Sequence, residues 1–128
     1  MCEIRVAIVG AEERKWDEKR KAKAKEIIMR ILLYYKFFSG CDVVLVSGRC
    51  PKGGVDIWAE EIADALGIKK LIFPPKKHSW YWYRKRNIQI AENCDILFDI
   101  EPEGKRSGGT WTLNYARKLG KYVYLIEV

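Results

Sequence analysis

Short apolar runs recur along the chain and are separated by longer, mostly amphipathic stretches. Five of the runs consist largely of β-branched, leucine or aromatic residues and have the length of buried strands in a parallel sheet. These predicted strands cover residues 4–9, 43–46, 70–73, 95–100 and 122–126.

The stretches between the strands predict helices. In the first of them, Ile27, Ile31 and Tyr35 recur at a spacing that places them on one helical face. The predicted helices span residues 16–38, 55–66, 80–93 and 110–119. Because strands and helices alternate and each crossover must be right-handed, the pattern predicts a parallel sheet with helices on both faces. We therefore expect one α/β domain over residues 1–128, a Rossmann-like three-layer sandwich with strand order 3-2-1-4-5.

In this topology ligands bind in the crevice at the carboxyl ends of the first and fourth strands, where the winding reverses. The loops that border the crevice are residues 10–14, 47–56 and 99–110. Two of them end in a glycine pair at a helix start, Gly53-Gly54 and Gly108-Gly109. Free amides at a helix N-terminus can bind phosphate, although glycine also occurs at such turns for steric reasons alone.

The stricter phosphate-binding fingerprints are absent. Gly10-Ala11-Glu12 does not continue into the GxGxxG pattern of dinucleotide dehydrogenases. Gly104-Lys105 lacks the earlier glycine and the following Ser or Thr of a P-loop. Both enzyme classes are therefore disfavoured.

Several short motifs together resemble the SLOG superfamily, which includes the LONELY GUY proteins, the DNA-processing protein A domain and small YspA-like and YpsA-like domains. The motifs are Val6-Ala7-Ile8-Val9-Gly10, Val46-Ser47-Gly48, Gly53-Gly54-Val55-Asp56 with Ala59, Arg86-Asn87 with Ile90, and Ser107-Gly108-Gly109-Thr110. The resemblance covers nearly the whole chain and is strongest to the small YspA-like members. It implies a Rossmann-like domain that binds nucleotides or nucleotide-derived ligands.

The LONELY GUY enzymes cut the N-glycosidic bond of nucleoside 5′-monophosphates with an arginine of an R-K-x-x-M motif and a glutamate after a G-G-x-G-T loop. Arg86 matches that arginine, since Ile90 falls at the methionine position. Trp111, Thr112 and Leu113 occupy the stretch where the glutamate would stand. The resemblance thus implies ligand binding and leaves hydrolysis in question.

The leading hypothesis is a binding module, for example a sensor, for a nucleotide or another phosphate-bearing small molecule, with no required cofactor and no metal. The predicted ligand-binding residues are Gly10, Ala11, Ser47, Gly48, Gly53, Gly54, Asp56, Arg86, Asn87, Ser107, Gly108, Gly109 and Thr110. The alternative is a nucleoside 5′-monophosphate phosphoribohydrolase, for which the candidate catalytic residues are Arg86, Asp56, Asp99 and Glu101. Arg86 and Asp56 each have a second interpretation, as a surface charge and as a helix cap respectively.

A formal charge of +7 raises nucleic-acid binding as a further alternative. Much of the excess lies in residues 14–25, which can equally form the solvated face of the first helix. The aromatic run of residues 78–83 suits stacking on a base, a homodimer interface or core packing, and we expect the chain to form a homo-oligomer, most simply a dimer.

The four cysteines are Cys2, Cys41, Cys50 and Cys94, and they contain no CxxC pair. The first, second and fourth come at or just before strand starts, so we expect them at the sheet edge opposite the crevice, with a disulfide from Cys2 to Cys41 or to Cys94. Cys50 is expected on the ligand side, either as a reactive or as an inert thiol. The chain shows no secretion signal or membrane-spanning run, which favours a cytoplasmic location, and its single glutamine is typical of thermophiles.

Overall fold

A computed structural model describes residues 2–128 and contains one five-stranded, all-parallel sheet in the order β3-β2-β1-β4-β5. The predicted fold class and strand order are therefore confirmed. The strands are β1 (Glu3–Gly10), β2 (Asp42–Ser47), β3 (Lys69–Ile72), β4 (Ile96–Glu101) and β5 (Tyr122–Glu127). The helices are α1 (Glu18–Phe38), α2 (Val55–Ala65), α3 (Trp80–Glu92) and α4 (Gly108–Lys118).

The core lies in two layers, one on each face of the sheet. On one face α1 and α2 pack over a cluster that includes Ile8 of β1, and on the other face α3 and α4 pack over a cluster that includes Val9. Successive residues of β1 thus contribute to opposite layers, as the alternation of side chains along a strand requires. None of the helices within residues 2–128 has both the length and the apolarity to cross a membrane.

The first helix starts later than the apolar pattern predicts. Asp17 is its N-cap, and the Asp17 carboxylate accepts a hydrogen bond from the Arg20 N–H at 2.8 Å. Trp16 lies before the helix, following a 3₁₀ turn (Glu13–Lys15). Its indole N–H donates to the Ala11 carbonyl at 3.1 Å and its ring packs edge-on against Trp58. Trp16 therefore anchors the loop after β1 to α2.

The start of α4 also differs from the prediction, and this difference matters for the site. The helix begins at Gly108, and Ser107 is its N-cap. The Ser107 hydroxyl accepts a hydrogen bond from the Gly109 N–H at 3.0 Å. The second glycine pair is therefore the first turn of the helix itself.

Cys2 and Cys41 form a disulfide, with their Cα atoms 4.8 Å apart, at the amino-terminal edge of the sheet. Glu3 and Asp42, the residues that follow the two cysteines, pair in the β1–β2 register, so the bond joins the starts of two neighbouring strands. Of the two pairings expected from the sequence, this is the one that forms, and Cys94 is instead a buried free thiol in the α3–α4 layer.

Replacing Cys2 by serine should destabilise the protein, because the disulfide closes a loop over a sequence separation of 39. The chain-entropy relation gives an upper value of about 4 kcal/mol for a loop of that size. We expect denaturant unfolding without reductant to show a loss of up to that amount for Cys2→Ser, and reductant should abolish the difference from the parent protein. Cys50→Ser, which removes a free thiol, is the matched control. If all four cysteines of the unreduced, unfolded protein react as thiols, the disulfide is absent.

Candidate functional site

A cavity of about 230 Å³ opens between the carboxyl ends of β1 and β4, at the switch point of the sheet. The loop before α2, the face of α3 that carries Tyr83, Arg86 and Asn87, and the first turn of α4 form its walls. The structure brings the following predicted site residues together on its lining: Gly10, Asp56, Arg86, Asn87, Ser107, Gly108 and Gly109.

The other predicted residues lie behind the cavity wall and hold it in place. The Ala11 carbonyl accepts the Trp16 indole N–H and the Val55 N–H, and the buried Ser47 hydroxyl donates to Glu60 at 2.9 Å. The remaining members of this group are Gly48, Gly53, Gly54, Thr110, Asp99 and Glu101.

Arg86 is buried and fixed by the protein, with only 7% of its surface exposed. Its Nε donates to the Asn87 side-chain oxygen at 2.8 Å, and its Nη1 donates to the Gly48 carbonyl. A side chain at Gly48 would collide with the guanidinium, so a larger residue there would displace Arg86 from this position. The interpretation of Arg86 as a surface charge is therefore wrong.

The positive charge of Arg86 has no close counter-ion among residues 2–128. No carboxylate there lies within ion-pair distance of the guanidinium, and Nη2 has no hydrogen-bond partner in this part of the chain. A buried charge is costly unless it is paired. Because Arg86 lines the cavity, the cavity is the place from which an anion can pair with it.

Asp56 also lines the cavity, and its carboxylate is influenced by the charge of Arg86. It lies in the first turn of α2, is 5% exposed, and accepts a hydrogen bond from the Cys50 N–H at 3.2 Å. Burial raises the pKa of Asp56 to about 6, although Arg86 and the Cys50 N–H act in the opposite direction. Its carboxylate thus joins the loop before α2 to the helix, and its ionisation falls close to neutral pH.

The first turn of α4 offers an unused backbone donor to the cavity. Gly108 is exposed, and its N–H has no hydrogen-bond partner among residues 2–128, whereas the Gly109 N–H and the Thr110 N–H both donate to Ser107. A Cβ at Gly108 would lie 3.7 Å from the side-chain nitrogen of Asn87. The free N–H, the Asn87 amide and the Arg86 guanidinium therefore border the same part of the cavity.

The first glycine pair, Gly53-Gly54, has different contacts from those of Gly108-Gly109. The Gly53 N–H donates to the Cys50 carbonyl at 3.0 Å, and the Val55 N–H donates to the Ala11 carbonyl at 3.2 Å. A side chain at Gly54 would meet the backbone of Ala11 and Glu12. This pair lets two loops approach closely, and neither of its glycines lines the cavity.

Beneath the first turn of α4 two buried carboxyl groups, Asp99 and Glu101, lie side by side at the end of β4. The Thr110 hydroxyl donates to Asp99 Oδ2 at 3.1 Å, and the Ser107 hydroxyl donates to Glu101 Oε2 at 2.6 Å. The other oxygens, Asp99 Oδ1 and Glu101 Oε1, have no donor among residues 2–128. Burial raises the pKa of Asp99 to about 9, aided by its hydrogen bond with Glu101 and by the charge of Glu101. With a proton on Oδ1, Asp99 can donate to Glu101 Oε1, and this one hydrogen bond satisfies both oxygens.

An aromatic wall and two lysines complete the cavity. Trp80 and Tyr83 line it from α3, and Trp80 packs edge-on against Trp111 of α4. The lining also includes Lys15 and Lys52, which we did not single out from the sequence. Lys15 ends the 3₁₀ turn and donates to the Arg106 carbonyl, so it connects the loop after β1 to the loop before α4. In the sequence, Lys15 directly follows residues 10–14, a loop predicted to border the crevice, and only this position could have indicated it.

Cys50 lines the cavity, on the ligand side as expected. Burial and the neighbouring Asp56 raise the pKa of the Cys50 thiol, which disfavours a reactive thiolate at neutral pH. In the basic segment, Lys21 pairs with Glu13 at 2.8 Å, and Arg20 lies 3.8 Å from Asp17. These pairs reduce the free positive charge there, and nucleic-acid binding stays a prediction.

Comparison with known proteins adds no assignment: no family model matches the chain, and no curated protein is similar to it in sequence.

The Asp99–Glu101 pair should make stability depend on pH. An unfolded aspartate ionises near pH 4, whereas folded Asp99 keeps its proton until about pH 9, so the folded state binds more protons between these values. The free energy of unfolding should therefore fall as pH rises from about 6.5 to 8.5, by of the order of 1 kcal/mol per unit.

Asp99→Asn should flatten this slope, because an amide N–H replaces the bound proton as a donor to Glu101. Denaturant unfolding across the pH range measures the effect, and Glu103→Gln, which changes an exposed carboxyl, is the control. A slope that is the same in Asp99→Asn and in the parent protein would show that Asp99 does not hold the proton.

Proposed function

We propose that the cavity binds a nucleotide or nucleotide-derived ligand through a phosphate group, and that the chain is a ligand-binding module. The observation that carries this proposal is the buried Arg86 guanidinium, which has no carboxylate partner within residues 2–128 and borders the cavity next to the free Gly108 N–H. A guanidinium binds phosphate through charge-assisted hydrogen bonds, and the N-terminus of α4 adds the favourable end of a helix dipole. The two donors together suit an anion.

The aromatic wall supports a nucleotide rather than inorganic phosphate alone as the ligand. Trp80 is 52% exposed although it lines the cavity, so one part of its ring is free to stack. Its contact with Trp111 holds the ring in position, at a centroid distance of 5.8 Å. Stacking of a base on an aromatic side chain contributes roughly 1–3 kcal/mol. The resemblance of the motifs to the SLOG superfamily agrees with this choice of ligand.

Hydrolysis of the N-glycosidic bond is a second candidate, and Asp56 is the observation that favours it. Asp56 lines the cavity, and its pKa of about 6 suits a proton donor near neutral pH. Asp99 and Glu101, the other acidic candidates, are covered by Gly109 and do not line the cavity. If the protein is a hydrolase, Asp56 is therefore the residue for the acid role.

Calorimetric titration with nucleoside 5′-monophosphates and the matching nucleosides tests the proposal. We expect the monophosphates to bind and the nucleosides to bind much more weakly. Arg86→Met should lower monophosphate affinity by about 10- to 150-fold, because hydrogen bonds to charged groups contribute about 1.5–3 kcal/mol. Arg84→Met removes the same charge from an exposed position of α3 and should leave affinity nearly unchanged.

Equal affinity for nucleosides and monophosphates, or an unchanged affinity in a folded Arg86→Met protein, would contradict the phosphate site. Chromatography of the same mixtures detects free base. Release of base that disappears in Asp56→Asn would identify the hydrolase instead of the binding module.

A further inference from the structure

The two edges of the sheet differ in how they are protected. β3 has four residues, begins with Lys69 and Lys70, and is followed by Pro74-Pro75. Short length, lysine and proline are the features that prevent an edge strand from pairing with another chain. β5 has six residues and no proline, and Tyr122 and Tyr124 on it are 72% and 50% exposed. The β5 edge therefore lacks these protective features, which is typical of an edge strand that pairs with a strand of another chain.

An aromatic surface continues from β5 onto α1. Tyr124 stacks on Phe98 at 5.4 Å, Phe98 contacts Tyr35, and Tyr35 contacts Tyr34. Tyr34 contacts Phe38, which is 77% exposed. We call the exposed members of this set, Tyr34, Phe38 and Tyr124, together with the exposed Tyr122 two residues before Tyr124 on the same face of β5, the aromatic face. A contiguous exposed patch of this kind marks an interaction site more often than isolated surface residues do.

The backbone of β5 has hydrogen-bonding groups to offer at this edge. The Val128 N–H donates to the Glu101 carbonyl and the Val128 carbonyl accepts the Glu103 N–H, so both groups of Val128 point toward the β4 side. Backbone groups of successive residues in a strand point to alternate sides. Those of Val123, Leu125 and Glu127 therefore point away from the sheet.

We infer that β5 pairs antiparallel with β5 of a second copy of this chain, about a two-fold axis at Tyr124. In that register Val123 lies opposite Leu125 of the partner subunit, and their outward backbone groups can exchange hydrogen bonds. Lys121 lies opposite Glu127 of the partner subunit, so the two ends of the pairing carry opposite charges. Within its own chain Lys121 also donates to the Cys94 carbonyl, and Glu127 lies 3.5 Å from Arg106, so the charges would be shared between the pairing and these contacts.

The same register places apolar groups opposite one another on the aromatic face. Tyr122 lies opposite Ile126 of the partner subunit, and the two copies of Tyr124 meet at the axis. Pairing of β5 with β3 of another copy would be head-to-tail and would continue into a fibre, whereas the two-fold β5–β5 arrangement closes after two copies. The self-complementary aromatic face, supported by opposite charges at both ends, therefore favours a second copy as the occupant. This inference does not depend on the ligand of the cavity.

Sedimentation of the full chain tests the pairing through a charge exchange. The parent protein should sediment as two copies of the 14.9 kDa chain. Lys121→Glu alone and Glu127→Lys alone each place like charges opposite one another at both ends, and each should weaken the dimer at least about tenfold. Mixing the two single variants restores opposite charges at both ends, so the mixture should again contain dimers.

Tyr124→Lys provides a second variant, since it places two like charges at the axis, and Tyr81→Lys, at a similarly exposed tyrosine of α3, is its control. Circular dichroism checks that each variant is folded. A monomeric parent protein overturns the inference. So does a dimer that both Tyr124→Lys and the single charge variants leave intact, or a mixture of folded charge variants that stays monomeric.

Discussion

The burial of one guanidinium, that of Arg86, constrains the arrangement of the whole cavity. Arg86 reaches from α3 to the Gly48 carbonyl after β2, and this contact leaves no room for a side chain at residue 48. Asn87, the next residue, accepts from Arg86 and lies near Gly108 at the start of α4. The arginine thus contacts the end of β2 directly and α4 through Asn87, and the proposed anion would pair with a charge that has no carboxylate within ion-pair distance among residues 2–128.

The buried carboxyl groups of Asp99 and Glu101 lie directly against the first turn of α4. A Cβ at Gly109 would lie 2.6 Å from Asp99 Oδ1 and 3.0 Å from the Gly10 nitrogen, so β1, β4 and α4 can meet only if that residue is glycine. Ser107 and Thr110 donate to the two carboxyl groups and fix the first turn of the helix over them. One shared proton limits the negative charge beneath the Gly108 N–H, which keeps that end of the helix suitable for an anion.

The sequence was sufficient for the fold because its strands are continuous apolar runs and its helices are separated from them by glycine, proline and caps. It was not sufficient for the roles of individual site residues. Arg84 and Arg86 lie on the same helix, and only the contact between Arg86 and Gly48, 38 residues apart, shows which of them is buried. Likewise, the Gly53-Gly54 pair looks like a phosphate loop until the approach of Ala11 and Glu12 accounts for its glycine. Long-range packing of this kind leaves no local pattern.

A crystal structure of the protein soaked with adenosine 5′-monophosphate tests the central claim most directly. We predict phosphate oxygens within hydrogen-bond distance, roughly 2.7–3.2 Å, of Arg86 Nη2 and of the Gly108 nitrogen, with the base on the side of Trp80. Nucleotide density at another surface, or a cavity that stays empty at a saturating concentration, would contradict the account.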